Sequence, residues 1–339
     1  MPRGAGTAVR GLTVIRRLAP AAVGAALGLG VLGSCGYFVR DVSIFYMKAD
    51  AALDGKNIKI EIARSFVEKY KDTVAISTLM TVDKAMKKPN SRLMDGDLHF
   101  AGRAPAIGLP TVAEIANAAS AQNAVDLVRR LDGTGRRVKI EGVWRIWAEH
   151  AGRAKEEQGE DLDPDSSENP GHVFEIHPVM KIDDIKLSET FRTIRGFKPG
   201  GARKTFGIYQ NVGCKITVKP GVISFVTRKG VDNNVEFILE VVDGRQVRVE
   251  GGRFVMAAAR DLDGDLLVDR LRMVFADDTP PERAVRRLRR GGRLHVYGLP
   301  RISLSEIWRR VKDAARDPSL LDRPLPYEII IQGIYTDQK

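Results

Sequence analysis

The feature that most restricts the fold of this chain is an order of elements that occurs twice: three short strands, a helix, then two strands. The first copy begins at Thr73. Residues 73–82, 98–101 and 111–115 are apolar and β-branched, and Gly102, Pro105, Gly108 and Pro110 interrupt them as turn formers. Residues 121–131 put Ala124, Leu127, Val128 and Leu131 on one helical face. Residues 138–147 and 173–182 read as strands, separated by an acidic, polar loop at 156–170. The second copy repeats the order at 235–242, 254–259 and 267–275. A helix follows, opened by Thr279 and Glu282 in a capping-box pattern and running to about Arg289, and then strands at 294–297 and 327–335.

The copies share residues as well as order. Arg129-Arg130-Leu131 matches Arg286-Arg287-Leu288, and the run from Arg137 to Gly142 matches that from Arg293 to Gly298. A shared period means one supersecondary unit used twice. The order is that of a five-stranded OB-like barrel with a helix between its third and fourth strands. The expectation is therefore a mainly β (α+β) chain with two such barrels in tandem, at 73–185 and 231–339. Residues 41–72 form a connector in which Ile58, Ile60 and Ile62 alternate like a strand and residues 63–70 suit a helix. Residues 186–230 form a linker with a β-hairpin at 215–218 and 222–227. Between the last two strands of the second unit, Leu304, Ile307, Trp308 and Val311 have helical spacing and predict an inserted amphipathic helix.

The N-terminal 40 residues give a location. Arg3, Arg10, Arg16 and Arg17 precede a charge-free run from Leu18 to Val39, about 20 residues and enough for one membrane span. A basic flank before an apolar run is also a secretory signal. Leu32-Gly33-Ser34-Cys35 resembles the lipobox of bacterial lipoproteins, which implies lipidation at Cys35. A lipid anchor and an uncut signal-anchor helix both place the folded part in the cell envelope, on the periplasmic side.

The net charge of +11 suits anionic partners, and its densest run is Arg283, Arg286, Arg287, Arg289, Arg290 and Arg293. A solvated helix face is the simpler reading of that run. With two cysteines, Cys35 and Cys214, a disulfide scaffold is not expected, and Cys214 reads as a small buried residue. Phosphate-loop, dinucleotide and serine-nucleophile motifs are absent.

Three candidate sites remain. Glu175 and His177 share one strand face, so Glu175 can orient His177 as a base or metal ligand. His172 falls on the opposite face of a regular strand, and His150 joins only if the fold brings it there. Trp144 and Trp147 point to opposite sides of their strand, one toward the core and the other free to stack on a ligand beside Arg145, which can contact phosphate. Asp261, Asp263, Asp265 and Asp269 have the start of a calcium-loop spacing around Gly264, although Leu266 stands where the usual glycine follows. The alternative there is a plain hairpin with an Asp-Gly turn.

The residues Gly142, Val143, Trp147 and Glu175-Ile176-His177-Pro178-Val179 resemble a domain of uncharacterised bacterial secreted proteins that closes on a Glu-Ile-His-Pro-Val strand. The resemblance spans roughly residues 97–183 and implies an OB-like barrel. The functional expectation is a non-enzymatic, membrane-anchored envelope binding or scaffold module for an anionic polymer, a glycan or a protein, with no cofactor beyond possible calcium. The alternatives are a calcium-assisted nuclease-like hydrolase and, less suited to that location, nucleic-acid binding.

Overall fold

The computed structural model describes residues 44–47, 56–151, 168–228 and 230–336. The charge-free N-terminal run with Cys35 lies outside them, as does most of the acidic loop. Among the described residues no helix is long and apolar enough to cross a membrane.

The chain is mainly β and contains two closed five-stranded barrels. A short strand β1 (Ile44–Met47), strand β2 (Asn57–Ala63) and helix α1 (Arg64–Tyr70) come first. Barrel one then uses β3 (Ala75–Ala85), β4 (Leu98–Ala104), β5 (Gly108–Ile115), helix α2 (Gln122–Leu131), β6 (Arg137–Ile146) and β7 (Phe174–Ile182). Its sheet runs β5-β4-β3-β6-β7, extended by the two-residue β8 (Ile185–Lys186), and closes through a parallel β5–β7 pairing. After β9 (Gly200–Gly201), α3 (Ala202–Tyr209), β10 (Gly213–Lys219) and β11 (Val222–Arg228) comes barrel two. It comprises β12 (Val235–Val249), β13 (Gly252–Arg260), β14 (Leu266–Ala276), helix α4 (Pro280–Val285), β15 (Arg293–Ile302), helix α5 (Leu304–Asp313), β16 (Asp322–Pro324) and β17 (Tyr327–Ile334). Its sheet runs β13-β14-β17-β15-β12 and closes between β12 and β13, with β14 and β17 parallel.

The alternation of Ile58, Ile60 and Ile62 does produce a strand, and all three are fully buried. β2 pairs with β11 of the linker hairpin, and β10 pairs with β16 from barrel two, so a third sheet runs β1-β2-β11-β10-β16. Burying three isoleucines contributes about 1.5–3 kcal/mol each, enough to make the stretch from β2 part of the folded body. Cys214 in β10 is buried, which pushes its thiol up to about 12 and leaves it unreactive. The helix expected to reach Arg289 ends at Val285. Beyond it the chain tightens into turns (Arg287 N–H to the Ala284 carbonyl, Leu288 N–H to that of Val285), and Gln246 donates to the Val285 carbonyl. Thr279 caps α4 by accepting from the Glu282 N–H at 3.3 Å.

Register shows how far the two barrels correspond. Arg145 of β6 lies opposite Glu175 of β7, and Arg301 of β15 lies opposite Glu328 of β17. Gly142 and Gly298 are matched too. A Cβ at Gly298 would meet the Ile330 carbonyl oxygen at 2.4 Å, and one at Gly142 would meet the Pro178 carbonyl oxygen at 2.8 Å, so only glycine lets the closing strand approach.

The barrels are joined by an exchange of arginines. Arg145 Nε donates to the Pro300 carbonyl at 2.8 Å, and Arg301 Nη1 donates to the Trp144 carbonyl at 3.0 Å. Arg301 also donates to the carbonyls of Val74 (3.2 Å) and Thr73 (3.1 Å), pairs with Glu328 at 2.6 Å and lies 3.6 Å over the Trp144 ring. Both arginines are about 1% exposed or less. An apolar cluster containing Ala75, Val143, Phe254, Val274, Leu299 and Ile330 draws on both barrels and fills the rest of this contact. Truncating Arg301 leaves three carbonyls without its N–H groups and Glu328 with only Arg272. Arg301→Ala is expected to cost about 3–5 kcal/mol, read as a shift in the midpoint of chemical denaturation; a loss below about 1 kcal/mol would contradict the lock.

Candidate functional site

Barrel one carries a concentration of ionisable side chains on its outer wall, where barrel two covers it. The β4–β5 pairing sets His99 opposite Glu114, and the β6–β7 pairing sets Arg145 opposite Glu175. Parallel pairing of Ala113 with Ile176 brings Glu114 level with His177. Residues i and i+2 share a face, so His99, Glu114, Arg145, Glu175 and His177 point outward while Phe100, Ala113, Ile146 and Ile176 fill the barrel. Asp97, just before β4, completes the row.

The distances are short. His177 Nε2 lies 3.0 Å from Asp97 Oδ2, and its Nδ1 lies 3.3 Å from Glu114 Oε2 and 3.4 Å from Glu175 Oε1. His99 Nε2 is 2.9 Å from Glu114 Oε2. Glu175 accepts from Arg145, whose other nitrogens reach Pro300 and the Asn233 side chain of the second barrel. His172 Nε2 lies 3.1 Å from Glu175 Oε2, and His150 stacks on His172 with ring centroids 4.9 Å apart. Four of the chain's five histidines meet here. Asp97, Glu114, Glu175, His172 and His177 are each at most 3% exposed, whereas the side chains of Glu149 and His150 are 14% and 22% exposed and form the open edge.

The electrostatics follow from packing carboxylates together out of water. Burial opposes charge on His99, yet Glu114, with Asp97 and Asp95 behind it, raises the imidazole to about 9. Burial likewise opposes charge on His177, and Glu114 together with bonds from Asp97 and Glu175 raises it well above the ordinary range. Burial raises Asp97 to about 6 against the pull of His177. Burial also works to raise Glu175, but Arg145 and the two histidines hold it well below the usual carboxylate range. Burial, then His172, pushes His150 down to about 2, so it stays neutral.

The second barrel supplies an internal comparison. By register, His99, Glu114 and His177 correspond to Phe254, Val274 and Ile330, while Arg145 and Glu175 correspond to Arg301 and Glu328. The Arg–Glu pair therefore belongs to the joint between barrels. The histidines and Glu114 occupy places where this scaffold also accepts hydrocarbon. Buried charge there costs several kcal/mol per ion, so the fold does not demand it.

Among the described residues two sets of donor atoms lie within 4.8 Å of one another and can hold a metal ion: Glu114 with His150 and His172, and Asp97 with Glu114 and His177. A zinc-class ion sits about 2.0–2.2 Å from each nitrogen or oxygen, which separates tetrahedral ligands by about 3.3 Å, within the span of each set. His172 Nδ1 lies 2.8 Å from the Pro170 carbonyl, an acceptor only. That bond places a proton on Nδ1 and aims Nε2 at Glu175 Oε2, a contact that either a second ring proton or a metal ion bridges. A recess of about 10 Å³ opens beside Asp97 and His177, room for one water-sized body. Gln332 lines it, and its buried Oε1 has no hydrogen-bond partner.

The sequence expectations fare unevenly. Glu175 and His177 do come together, and His150 joins them. His172 reaches the same carboxylate after all, because β7 starts at Phe174 and regular strand alternation does not extend back to it. Neither tryptophan is free to stack on a ligand. Trp144 is fully buried, bonded to Thr73 and covered by Arg301; Trp147 is 3% exposed, donates to the Asp232 carbonyl and packs on Tyr209. Arg145 is enclosed by Glu175 and the second barrel, which removes it as a phosphate contact. The Asp261 loop is a tight hairpin turn in which Asp261 and Asp265 both pair with Arg203, and Asp263 and Asp269 stay exposed. Asp97, His99 and Glu114 were not legible as site residues; for His99 and Glu114 the signal was their alignment with Phe254 and Val274 of the second copy. In the arginine run, Arg283 pairs with Glu189 and Arg293 with Glu240, while Arg287, Arg289 and Arg290 are exposed.

The raised histidines give a pH test on chelator-treated protein. Stability from protonated His99 is fully present below about pH 6.5 and is lost as pH rises to about 9, and His177 acts in the same direction. Denaturation midpoints across that window are expected to fall by on the order of 3 kcal/mol, and Glu114→Gln is expected to flatten the dependence. An unchanged slope in that variant would contradict Glu114 as the cause. No protein-family model matches this chain, and no curated protein matches it either.

Proposed function

We propose that this protein is a metal-holding module of the cell envelope, in which one of two tandem OB-like barrels seats a divalent transition-metal ion between histidines and carboxylates and the other closes over it. The observation that carries the reading is the replacement, within one duplicated scaffold, of an apolar outer wall (Phe254, Val274, Ile330) by His99, Glu114 and His177. Mixed imidazole and carboxylate donors suit zinc, iron, nickel or copper better than calcium, which separates this site from the Asp261 loop.

The closed geometry supports holding over turnover. The inner ligands are at most 3% exposed and the recess admits a body the size of water, so a substrate of any size has no approach to them. The larger depressions, of about 350 and 550 Å³, are lined by Arg245, Arg270 and Arg272 and by Gln210, Glu306 and Arg310, outside the histidine cluster. Attachment at the envelope is supported by the charge-free run after Arg16-Arg17 and by Cys35. The exposed Arg287, Arg289 and Arg290 support an acidic partner surface.

The test is direct. The full chain, purified in detergent without chelator and then stripped, is expected to bind Zn²⁺ with a Kd below about 1 µM by calorimetry, a free energy of about −8 kcal/mol or better. His172→Ala is expected to weaken binding by about 100-fold or more. Folded wild-type protein that takes up no Zn²⁺, Fe²⁺, Ni²⁺ or Cu²⁺ at 100-fold weaker affinity would end this reading.

A further inference from the structure

The two ligand sets are not independent, since Glu114 belongs to both. One set reaches it from Asp97 and His177, the other from His150 and His172. Glu175 spans the same division: its Oε1 faces His177 at 3.4 Å and its Oε2 faces His172 at 3.1 Å. Each oxygen of one carboxylate thus addresses a histidine from a different set. Glu175 therefore stands beside both sets, with Arg145 on the same oxygen that faces His177.

Glu149 and Glu175 face the guanidinium of Arg145, while Asp97 and Glu114 face His177. The recess beside Asp97 and His177 and the open edge at His150 are separate ends of the row, so each ion has its own place.

We propose that the site is dinuclear, with Glu114 bridging one ion held by Asp97 and His177 and a second held by His150 and His172. This rests on the metal-holding reading above and adds the number of ions and their connection. The ion on the His150 side lies nearer solvent and is the exchangeable one; the ion on the Asp97 side is enclosed.

Stoichiometry tests it and separates the two readings. The stripped full chain is titrated with Zn²⁺, desalted and assayed for metal per chain. Two equivalents in the wild type and one in His150→Ala are expected; His150 is the most exposed ligand and the least disruptive to remove. If His150→Ala has an altered circular-dichroism spectrum, His172→Gln takes its place. Co²⁺-loaded wild type is expected to show a magnetically coupled pair, and the variant an uncoupled ion. One equivalent in the wild type, two retained in a folded variant, or two uncoupled cobalt ions would overturn the bridge and leave the single-centre reading standing. No metal at all would overturn both.

Discussion

The structure depends on two arginines that cross between barrels. Arg145 and Arg301 occupy matching positions, and each donates to the main chain of the opposite unit, Arg145 to one carbonyl and Arg301 to three. Guanidinium suits the task because its donors are fixed in a plane and its charge persists when buried; even with burial pushing it down to about 10, Arg301 remains cationic at neutral pH. The matching glutamates, Glu175 and Glu328, neutralise them. The arrangement is close to self-complementary, as expected where two copies of one unit pack by a pseudo-two-fold relation.

The same arrangement explains why chemistry could gather on one wall and not on its twin. Where the second barrel meets the first, Phe254, Val274 and Ile330 supply ordinary hydrophobic contact, each contributing about 1.5–3 kcal/mol on burial. On the matching wall of the first, His99, Glu114 and His177 forgo that gain and incur desolvation. Arg145 ties the two concerns together: it joins the barrels and also neutralises Glu175, a neighbour of two histidines.

Much of the fold was legible in the sequence because its signals are local. Strand alternation, glycine and proline breaks, and the Thr279–Glu282 cap depend on neighbours in the chain, and the matched glycines 142 and 298 marked the duplication. The site was only half legible. Glu175 and His177 declared themselves because two residues on one strand share a face. Asp97, His99 and Glu114 sit in or beside stretches that read as ordinary strands; Asp97 and Glu114 reach His177 across some 60–80 residues, and His99 joins through Glu114. The tryptophans misled for a related reason: the face of Trp144 that looked available is covered by Arg301, from more than 150 residues away.

The third sheet has a consequence for how the molecule can be divided. β2 comes before the first barrel, β10 and β11 from between the barrels, and β16 from within the second, yet they form one continuous ladder. Sequence duplication would suggest two modules that could be expressed apart or exchanged with relatives. The ladder denies this, since a cut anywhere between residues 63 and 322 strips a strand of its partners and bares apolar surface such as Ile60 against Phe225. The chain is woven rather than strung like beads, and its two barrels are not separable parts.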